Sequence, residues 1–298
     1  MPDLNQISLD RWQDPVFRRH DLQADVLRLD KIHPEISGNK WFKLKFYLEK
    51  ARQLNLHVLV SYGGAYSNHL LALAAAAKKY GLHAIGRIRG EEPARLSLTL
   101  KKAKELGMQL EFLSRTDYDQ IKKTGVSIDP DSGAIFIPEG GAGPEGVSGA
   151  GGILPLISYR EYSHICCAVG TGTTLAGIAN TAETGQKIIG ISVLKSTRNF
   201  EPMDLSWIKT EQVLAQITVL HQEHFGGYAK YTPQLISFMN GVFRNSQIPT
   251  DFVYTGKLFF AVARLALEQY FPAGSKLLII HSGGLQGNDS LPEGMLEF

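Results

Sequence analysis

Apolar and polar positions along the chain predict an alternation of strands and helices. Runs of β-branched and other apolar residues predict buried strands at 57–62, 83–88, 109–113, 134–138, 165–169, 187–193 and 276–281. Amphipathic or alanine-rich stretches predict helices at 41–51, 68–80, 94–106, from 173 onward, and at 210–222, 233–245 and 256–269. Strands that alternate with helices of this length indicate βαβ units and parallel sheets. The pattern therefore predicts an α/β fold.

The composition is that of a globular protein with an ample core. The chain has 298 residues, of which 44% are hydrophobic, enough for one large or two medium domains. That apolar content excludes a disordered protein. Lys and Arg number 31 against 29 Asp and Glu, so the net charge is only +2 and no basic run stands out. We therefore expect no nucleic-acid partner.

Cysteine usage and the N-terminus bear on the compartment. The chain has two cysteines, Cys166 and Cys167, which are adjacent, so a disulfide framework is excluded and a reducing cytoplasm is expected. The N-terminal sequence lacks the charged and apolar regions of a signal peptide. The longest apolar run, at 70–77, is far shorter than the roughly 18 residues of a membrane span. These features predict a cytoplasmic protein with no membrane partner.

A glycine-rich stretch at 139–152 interrupts the alternation. It is the best candidate for a point where the chain passes between two domains. A flexible surface loop is the alternative interpretation. Glycines also allow positive φ angles and close backbone approach beside a ligand.

The first of four polar clusters, at 37–40, places Lys40 directly before the amphipathic stretch at 41–51. A helix dipole disfavours a positive charge at its N-terminus, and nearby donors lower a lysine pKa toward the neutral amine that a nucleophile needs. A solvated lysine on a lysine-rich helix face is the alternative, and spacing alone favours it.

The second cluster, at 62–69, joins a predicted strand to the alanine-rich helix. It offers a hydroxyl, an amide and an imidazole from Ser67, Asn68 and His69. Ligands of open α/β folds bind where strands end, although Ser67 or Asn68 could act only as a helix cap.

The third and fourth clusters also follow predicted strands or open helices. The backbone N–H groups and threonine hydroxyls at 169–174 are suited to hold a phosphate. The Walker A lysine is missing there, as is the third glycine of a dinucleotide fingerprint.

The fourth cluster combines residues 254–257 with residues 281–284, where a predicted strand ends. The alternative interpretation is that the two segments are ordinary turns. His221 and His224 lack an identifiable third ligand, so no metal is predicted.

Together and in this order, the clusters resemble fold-type II pyridoxal-phosphate enzymes, in particular the 1-aminocyclopropane-1-carboxylate (ACC) deaminase and D-cysteine desulfhydrase family. The motifs that carry the resemblance are SGNKWFKL at 37–44, GGAYSNHLLALAAAA at 63–77, GTGTTLAG at 170–177, VYTGK at 253–257 and HSGG at 281–284. Five motifs in order are far more specific than any one alone. The resemblance implies two α/β domains, each a mostly parallel sheet flanked by helices. We place the larger, cofactor-binding domain at 1–42 and 150–298, and the smaller, inserted domain at 43–149.

The resemblance also implies a pyridoxal 5′-phosphate cofactor and a homodimer. It implies that Lys40 forms the Schiff base with the cofactor and later moves protons at the substrate Cα. Asn68 would bond the pyridine O3′. The phosphate would be held by Lys43 and by the loop residues Gly170, Thr171, Gly172, Thr173 and Thr174.

The substrate side is implied by the same family. Ser67 would sit beside the carboxylate of a small amino-acid substrate and assist proton transfer. Tyr228 and Tyr254 match the substrate-pocket tyrosines, although Tyr231 lies only three residues from Tyr228. Asn68, His69 and Thr255 complete the expected substrate contacts.

Ser282 is expected at the ring nitrogen of the cofactor. A hydroxyl does not enforce a protonated ring nitrogen as a carboxylate does, so the electron sink is milder. That suits α,β-elimination, in which the carbanion expels a leaving group.

The hydroxyls of Thr255 and Ser282, together with His69, favour D-cysteine desulfhydrase-like elimination to pyruvate, ammonia and sulfide. ACC deaminases typically carry Glu and Leu at the first two positions and SNQ in place of SNH. ACC deamination to 2-oxobutanoate and ammonia is the alternative, and a non-catalytic module that binds the cofactor or an amino acid is a second. Departures from the family motifs, such as Phe42 and Tyr66, border the substrate pocket and therefore concern the substrate more than the cofactor.

Overall fold

A computed structural model describes residues 2–124, 128–129, 133–195 and 203–298. The strands in these ranges are β1 (Leu9–Arg11), β2 (Gln23–Arg28), β3 (Val58–Gly63), β4 (His83–Arg89), β5 (Gln109–Leu113), β6 (Ile128–Asp129), β7 (Ala134–Ile137), β8 (His164–Val169), β9 (Lys187–Ser192), β10 (Ile217–Leu220) and β11 (Lys276–His281).

The helices alternate with these strands along most of the chain. They are α1 (Pro15–Arg19), α2 (Asn39–Gln53), α3 (Asn68–Tyr80), α4 (Leu98–Glu105), α5 (Arg115–Thr124), α6 (Pro144–Gly151), α7 (Thr173–Ala179), α8 (Glu211–Leu214), α9 (Pro233–Ser246) and α10 (Thr255–Leu267). Short 3-10 helices cover Leu4–Gln6, Leu29–Ile32, Glu139–Gly141, Leu154–Leu156, Tyr159–Glu161, Leu205–Trp207, Gln222–His224 and Leu285–Ser290.

The strands form two separate, mostly parallel sheets. The larger has the order β1-β2-β11-β8-β9-β10, and only the β1–β2 pair is antiparallel. The smaller has the order β5-β4-β3-β7-β6 and is antiparallel only between β6 and β7. The predicted α/β class with parallel sheets flanked by helices is confirmed.

Burial along β8 shows why the sequence forms a central strand. Ile165, Cys167 and Val169 belong to a core cluster that continues into the smaller sheet, whereas Cys166 and Ala168 pack into a second cluster on the other face. Side chains of a strand point to alternate faces, so this continuous apolar run is buried on both. The two adjacent cysteines therefore lie on opposite faces of one strand.

The alanine-rich helix α3 follows its sequence signals closely. Ser67 caps its N-terminus, where the hydroxyl accepts a hydrogen bond from the Leu70 N–H at 3.2 Å. Gly81 ends it in the left-handed conformation, with φ of 67°. Small side chains let the helix lie close to its neighbours, and residues 68–77 are all buried.

One sequence expectation is wrong, and one alternative interpretation does not hold. The helix predicted at 210–222 is only the short α8, after which the run Ile217–Leu220 pairs with β9 as an edge strand, in keeping with its β-branched content. The stretch at 139–152 is not a flexible loop, because α6 occupies most of it. A methyl group added at Gly149 would lie 1.7 Å from the Phe42 carbonyl oxygen of α2, so the glycines there allow helices to touch backbone to backbone.

None of the helices in the described ranges combines the length and the apolar character that a membrane crossing needs.

Candidate active site

The carboxyl ends of strands from both sheets border one cavity of about 500 Å³. β8 and β11 are neighbours in the larger sheet, and each is followed by a glycine-containing loop, at 170–172 and 282–284. From the smaller sheet, the loops after β3 and β7 and the last residue of β4 also contribute to the lining. Ligands of open α/β sheets bind at such strand ends, so the cavity is the candidate active site.

Lys40 reaches the cavity because two turns from distant parts of the chain touch. The Asn39 N–H donates to the Ser282 carbonyl at 3.2 Å, which joins the start of α2 to the loop after β11. Gly38 has φ of 64°, and a Cβ there would lie 1.9 Å from the Ser282 carbonyl oxygen. Glycine is therefore required before Asn39, and this contact sets where Lys40 projects.

The Lys40 amine lies in a polar chain that ends at the third cluster. Its Nζ donates to Asn39 Oδ1 at 3.0 Å, and Asn39 Nδ2 donates to Thr174 Oγ1 at 2.8 Å. Burial lowers the pKa of Lys40 to about 8, although the Asp251 carboxylate counteracts this. An amine with this pKa is a far better nucleophile near neutral pH than an ordinary lysine.

Asn68 and His69 lie side by side in the cavity wall, and both are buried. Asn68 Nδ2 is 3.5 Å from the Gly284 carbonyl, whereas its Oδ1 has no hydrogen-bond partner in the described part of the chain. Buried polar atoms without partners are rare and demand an explanation, such as a ligand.

The hydrogen bonds of His69 define its tautomer. Ser61 Oγ donates to the Ile137 carbonyl at 2.7 Å, so the 2.8 Å contact between Ser61 Oγ and His69 Nε2 requires an N–H on Nε2. Nδ1 is then an acceptor, and it is unpartnered among the residues described. Burial, and to a lesser degree the Lys40 and Lys43 charges, hold the pKa of His69 well below its ordinary value. The imidazole therefore stays neutral.

The loop at 170–174 and Lys43 come together in the cavity lining. Lys43 Nζ donates to the Gly140 carbonyl at 3.1 Å and lies 3.5 Å from Thr171 Oγ1. Gly172 has φ of 81° and directly precedes α7, whose first N–H groups have no partner within the helix. Burial and the Lys40 charge hold the pKa of Lys43 well below its ordinary value. This part of the lining is suited to an anion.

Two tyrosines also line the cavity. The Tyr228 and Tyr254 rings pack edge to face, with centroids 6.0 Å apart, and the Tyr254 ring centroid is 5.8 Å from Lys40 Nζ. Burial and the neighbouring Tyr228 hold the pKa of Tyr254 well above its ordinary value, so its phenol stays protonated. Tyr231 instead packs on Phe252 and does not line the cavity.

Most of the predicted site residues lie in the lining, but two of them do not. Those in the lining are Lys40, Lys43, Ser67, Asn68, His69, Gly170, Thr171, Gly172, Thr174, Tyr228, Tyr254 and Ser282. Thr173 is buried, with its hydroxyl 2.8 Å from Thr171 Oγ1. Thr255, expected to contact substrate, is also fully buried and donates its hydroxyl to Asp251 Oδ1 at 2.7 Å.

Asp251 is the main residue that the sequence reasoning missed. Its buried carboxylate accepts hydrogen bonds from the N–H groups of Val253, Tyr254 and Thr255 at 2.8–3.0 Å. It thereby shapes the turn that carries Tyr254. Burial raises the pKa of Asp251, while its hydrogen bonds oppose that shift. An acidic residue within the otherwise apolar or hydroxyl-bearing stretch 248–255 was the available signal.

Arg89, Glu139 and Gln286 also line the cavity without having been predicted. Arg89 is half exposed at the end of β4, with its guanidinium 3.6 Å from Asp119. Across the described residues, no group of three or more His, Cys, Asp or Glu side chains is placed to hold a metal ion.

Comparison with known proteins gives one consistent family. The family model described as pyridoxal-phosphate dependent enzyme matches residues 8–283. The chain is 29% identical over 304 residues to the putative 1-aminocyclopropane-1-carboxylate deaminase of Pyrococcus horikoshii, covering 95% of this chain and 92% of that protein. It is 25% identical over 304 residues to the mitochondrial bifunctional D-cysteine desulfhydrase/1-aminocyclopropane-1-carboxylate deaminase of Arabidopsis thaliana, covering 93% and 76%. The crystal structure of an ACC deaminase homologue superposes with a TM-score of 0.77 and 27% identity, covering 95% of this chain and 90% of that one.

Proposed function

The chain belongs to the pyridoxal-phosphate dependent enzyme family, and from that premise we propose that it is a lyase for a small amino acid. The reaction we assign is α,β-elimination on D-cysteine or a close analogue, giving pyruvate, ammonia and sulfide. The observation that carries this choice is the hydroxyl of Ser282, directly after β11 in the cavity lining.

The residues of the cavity fit the cofactor of this family. Asn68 carries a buried amide oxygen that no described residue satisfies, as expected of a side chain that bonds a ligand. Lys43 and the loop at 170–174 offer a cation, hydroxyls and backbone N–H groups to a phosphate. A phosphate bound there would favour the charged form of Lys43 and so raise its lowered pKa.

We assign each group a place on this basis. Lys40 would attach the cofactor, and Asn68 would bond its ring substituent. Thr171 and Thr174, with Lys43 and the glycines between them, would hold the phosphate. When bound, the cofactor supplies an electron sink that stabilises negative charge at the substrate Cα.

The chain's own residues then move the protons. Lys40, with a pKa near 8, can take a proton from Cα and return it at neutral pH. Ser67 is half-buried in the lining, and its hydroxyl hydrogen stays available because only its oxygen is used by the Leu70 N–H. We place it beside the substrate carboxylate. Tyr254, whose phenol stays protonated and whose ring stands near Lys40, is suited to donate a hydrogen bond to the departing group.

The residue that we place at the ring nitrogen of the cofactor, Ser282, favours elimination over the other reactions. Of the described residues that line the cavity, Glu139 is the one carboxylate, and it follows β7 of the smaller sheet. Ser282 follows β11, on the side of the larger sheet, and offers a hydroxyl instead. A hydroxyl stabilises the ring charge less than a carboxylate, which favours expulsion of a leaving group over accumulation of a carbanion. The hydroxyl of Thr255 is directed at Asp251 and therefore does not distinguish the two reactions.

The test is a panel of D- and L-amino acids assayed for 2-oxo acid and sulfide with the parent enzyme and Ser282→Asp. Sulfide from D-cysteine, reduced at least tenfold in Ser282→Asp, supports the assignment. The surface change Ser206→Asp is the matched control and should leave the rate unchanged. Equal rates in Ser282→Asp and the parent would refute the role of the hydroxyl.

ACC deaminase activity is the second candidate, because the Pyrococcus relative and the superposed structure carry that name. It predicts 2-oxobutanoate and ammonia from ACC. Turnover of ACC without sulfide release from D-cysteine would select it over the elimination.

We further propose a cytoplasmic homodimer built from the two domains expected from the sequence. The division at 43–149 is supported by the smaller sheet, whose strands all lie between residues 58 and 137. Size-exclusion chromatography with light scattering would test the dimer, and limited proteolysis the domain boundaries.

A further inference from the structure

The segment that carries Tyr228 has an unusual backbone. Four of its residues have positive φ: Phe225 at 50°, Gly226 at 93°, Gly227 at 119° and Ala229 at 52°. The left-handed region is costly for residues with a side chain, and such conformations persist only where the surroundings hold them. Something must therefore hold residues 224–229, here named the Tyr228 segment.

Lys257 provides that hold. Its side chain is 0% exposed, and Nζ donates to the carbonyls of His224 at 2.9 Å and Gly227 at 2.7 Å. These carbonyls lie at the first residue of the segment and directly before Tyr228. Burying an amine is unfavourable unless its N–H groups are bonded, so the fold keeps Lys257 here at a cost that the two carbonyls offset.

The hold does not depend on the charge of the amine. Burial lowers the pKa of Lys257 to about 8, against the attraction of Asp251. A neutral amine still has two N–H groups, one for each carbonyl. Both bonds can therefore persist on either side of pH 8.

The position of Lys257 links the segment to the reaction. It lies one turn beyond Tyr254 at the start of α10, so one helix end carries both the second tyrosine and the group that fixes the first. Tyr228 itself is 45% exposed, and its described ring contact is the edge-to-face packing on Tyr254. Both the ring and the hydroxyl of Tyr228 interact with Tyr254, and the backbone that Lys257 holds sets where Tyr228 can make these contacts.

We propose that Lys257 is a positioning residue, which acts through the Tyr228 segment to keep Tyr228 against Tyr254 on the substrate side of the cavity. Its kinetic consequences rest on the proposed function, whereas its structural consequence does not. The described hydrogen bonds of Lys257 go to the Tyr228 segment and not to Lys40, Lys43 or the loop at 170–174, so cofactor attachment should not depend on Lys257.

The structural test is hydrogen–deuterium exchange of the holoenzyme with Lys257→Met, which keeps the length of the side chain but has no donor. The same two carbonyls accept the Gly227 N–H at 2.9 Å and the Lys230 N–H at 3.2 Å, so these amides report on the segment. We expect at least tenfold faster exchange there, with the visible absorbance of the bound cofactor unchanged. Lys230→Met removes an exposed lysine next to the segment and is the matched control. Unchanged exchange in Lys257→Met would overturn the proposal.

The kinetic test is a double-mutant cycle with Tyr228→Ala. Lys257→Met alone should lower kcat/KM at least tenfold, chiefly by raising KM. In the Tyr228→Ala background it should change kcat/KM less than threefold, because residues that act through one another are not additive. Additive losses would overturn the proposal, since they would mean that Lys257 acts independently of Tyr228.

The proposal stays testable if Lys257→Met does not fold or if the parent enzyme shows no activity. If Lys257→Met does not fold, Gly227→Ala tests the same point, because a side chain at φ of 119° must displace the carbonyl that Lys257 holds. It should show the same exchange and the same KM effect, and parent-like behaviour would contradict the proposal. If the parent enzyme turns over no amino acid, the proposed function fails, while the exchange experiment still decides the role of Lys257.

Discussion

Replacing Gly149 by alanine tests how the glycine-rich helix α6 positions the active-site lysines. The added methyl carbon would lie 1.7 Å from the Phe42 carbonyl oxygen and 2.8 Å from the Phe42 carbonyl carbon, both backbone atoms of α2. Contacts of this kind are normally near 3.5 Å, so the two helices would have to separate by roughly 1.5–2 Å. Phe42 lies between Lys40 and Lys43, so the displacement would reach both predicted cofactor contacts.

The size of the effect follows from two opposed contributions. Overpacking a core typically costs about 1–3 kcal/mol, and a backbone-to-backbone clash belongs at the upper end. Alanine in place of glycine in a helix returns about 1 kcal/mol. We expect a net destabilisation of about 2 kcal/mol, which lowers Tm by roughly 3 °C at an unfolding entropy of about 2.1 cal/mol/K per residue.

Gly241 in α9 is the matched control, because a Cβ there meets only the end of the flexible Arg244 side chain at 3.9 Å. Gly241→Ala should therefore gain up to about 1 kcal/mol and raise Tm by roughly 1–2 °C. Thermal unfolding at equal cofactor excess compares the three proteins, and a cofactor titration should show weaker binding only for Gly149→Ala. A Gly149→Ala protein as stable as the parent would refute the packing of α6 on α2.

Three further predictions concern the charges around the cofactor site. The rate at which the cofactor-free chain attaches added cofactor should rise with pH, with a midpoint near 8. The reason is that about 10% of Lys40 is neutral at pH 7, against about 0.03% of an ordinary lysine. A midpoint above 10 would contradict the burial of this amine. Asp251→Asn should move that midpoint to lower pH, because the carboxylate favours the charged lysine, and a midpoint that stays or rises would exclude this interaction. Lys43→Met should weaken binding of pyridoxal 5′-phosphate about tenfold, the size expected from losing one charge-assisted contact. Binding of pyridoxal, which has no phosphate, should be unaffected. Equal losses of affinity for both ligands would place Lys43 away from the phosphate.

Local sequence patterns were sufficient for the seven strands that are apolar runs and for the loops that follow β3, β8 and β11, but not for β1, β2, β6 and β10. β8 and β11 are continuous apolar runs, and the ends of such strands in a parallel sheet meet at one edge, which brings residues 170–174 and Ser282 together. The polar cap of α3 was equally local, because Ser67 bonds an N–H only three residues away.

What the sequence did not predict depends on contacts between distant segments. Glycine disfavours helices in isolation, so α6 is explained only by its contact with the Phe42 carbonyl, more than a hundred residues earlier. Lys257 bonds carbonyls 30 and 33 residues away, and backbone acceptors leave no mark in a sequence. Thr255 matched a family motif, yet the direction of its hydroxyl is set by Asp251.

The central claim is that Lys40 drives β-elimination from a D-cysteine-like substrate, and the release of products from D-cysteine tests it most directly. Pyruvate, ammonia and sulfide are measured together for the parent holoenzyme and Lys40→Ala. We predict equal amounts of all three from the parent and none above background from Lys40→Ala. Sulfide release that survives in Lys40→Ala, or a parent enzyme that forms 2-oxobutanoate from ACC but no sulfide from D-cysteine, would contradict the account.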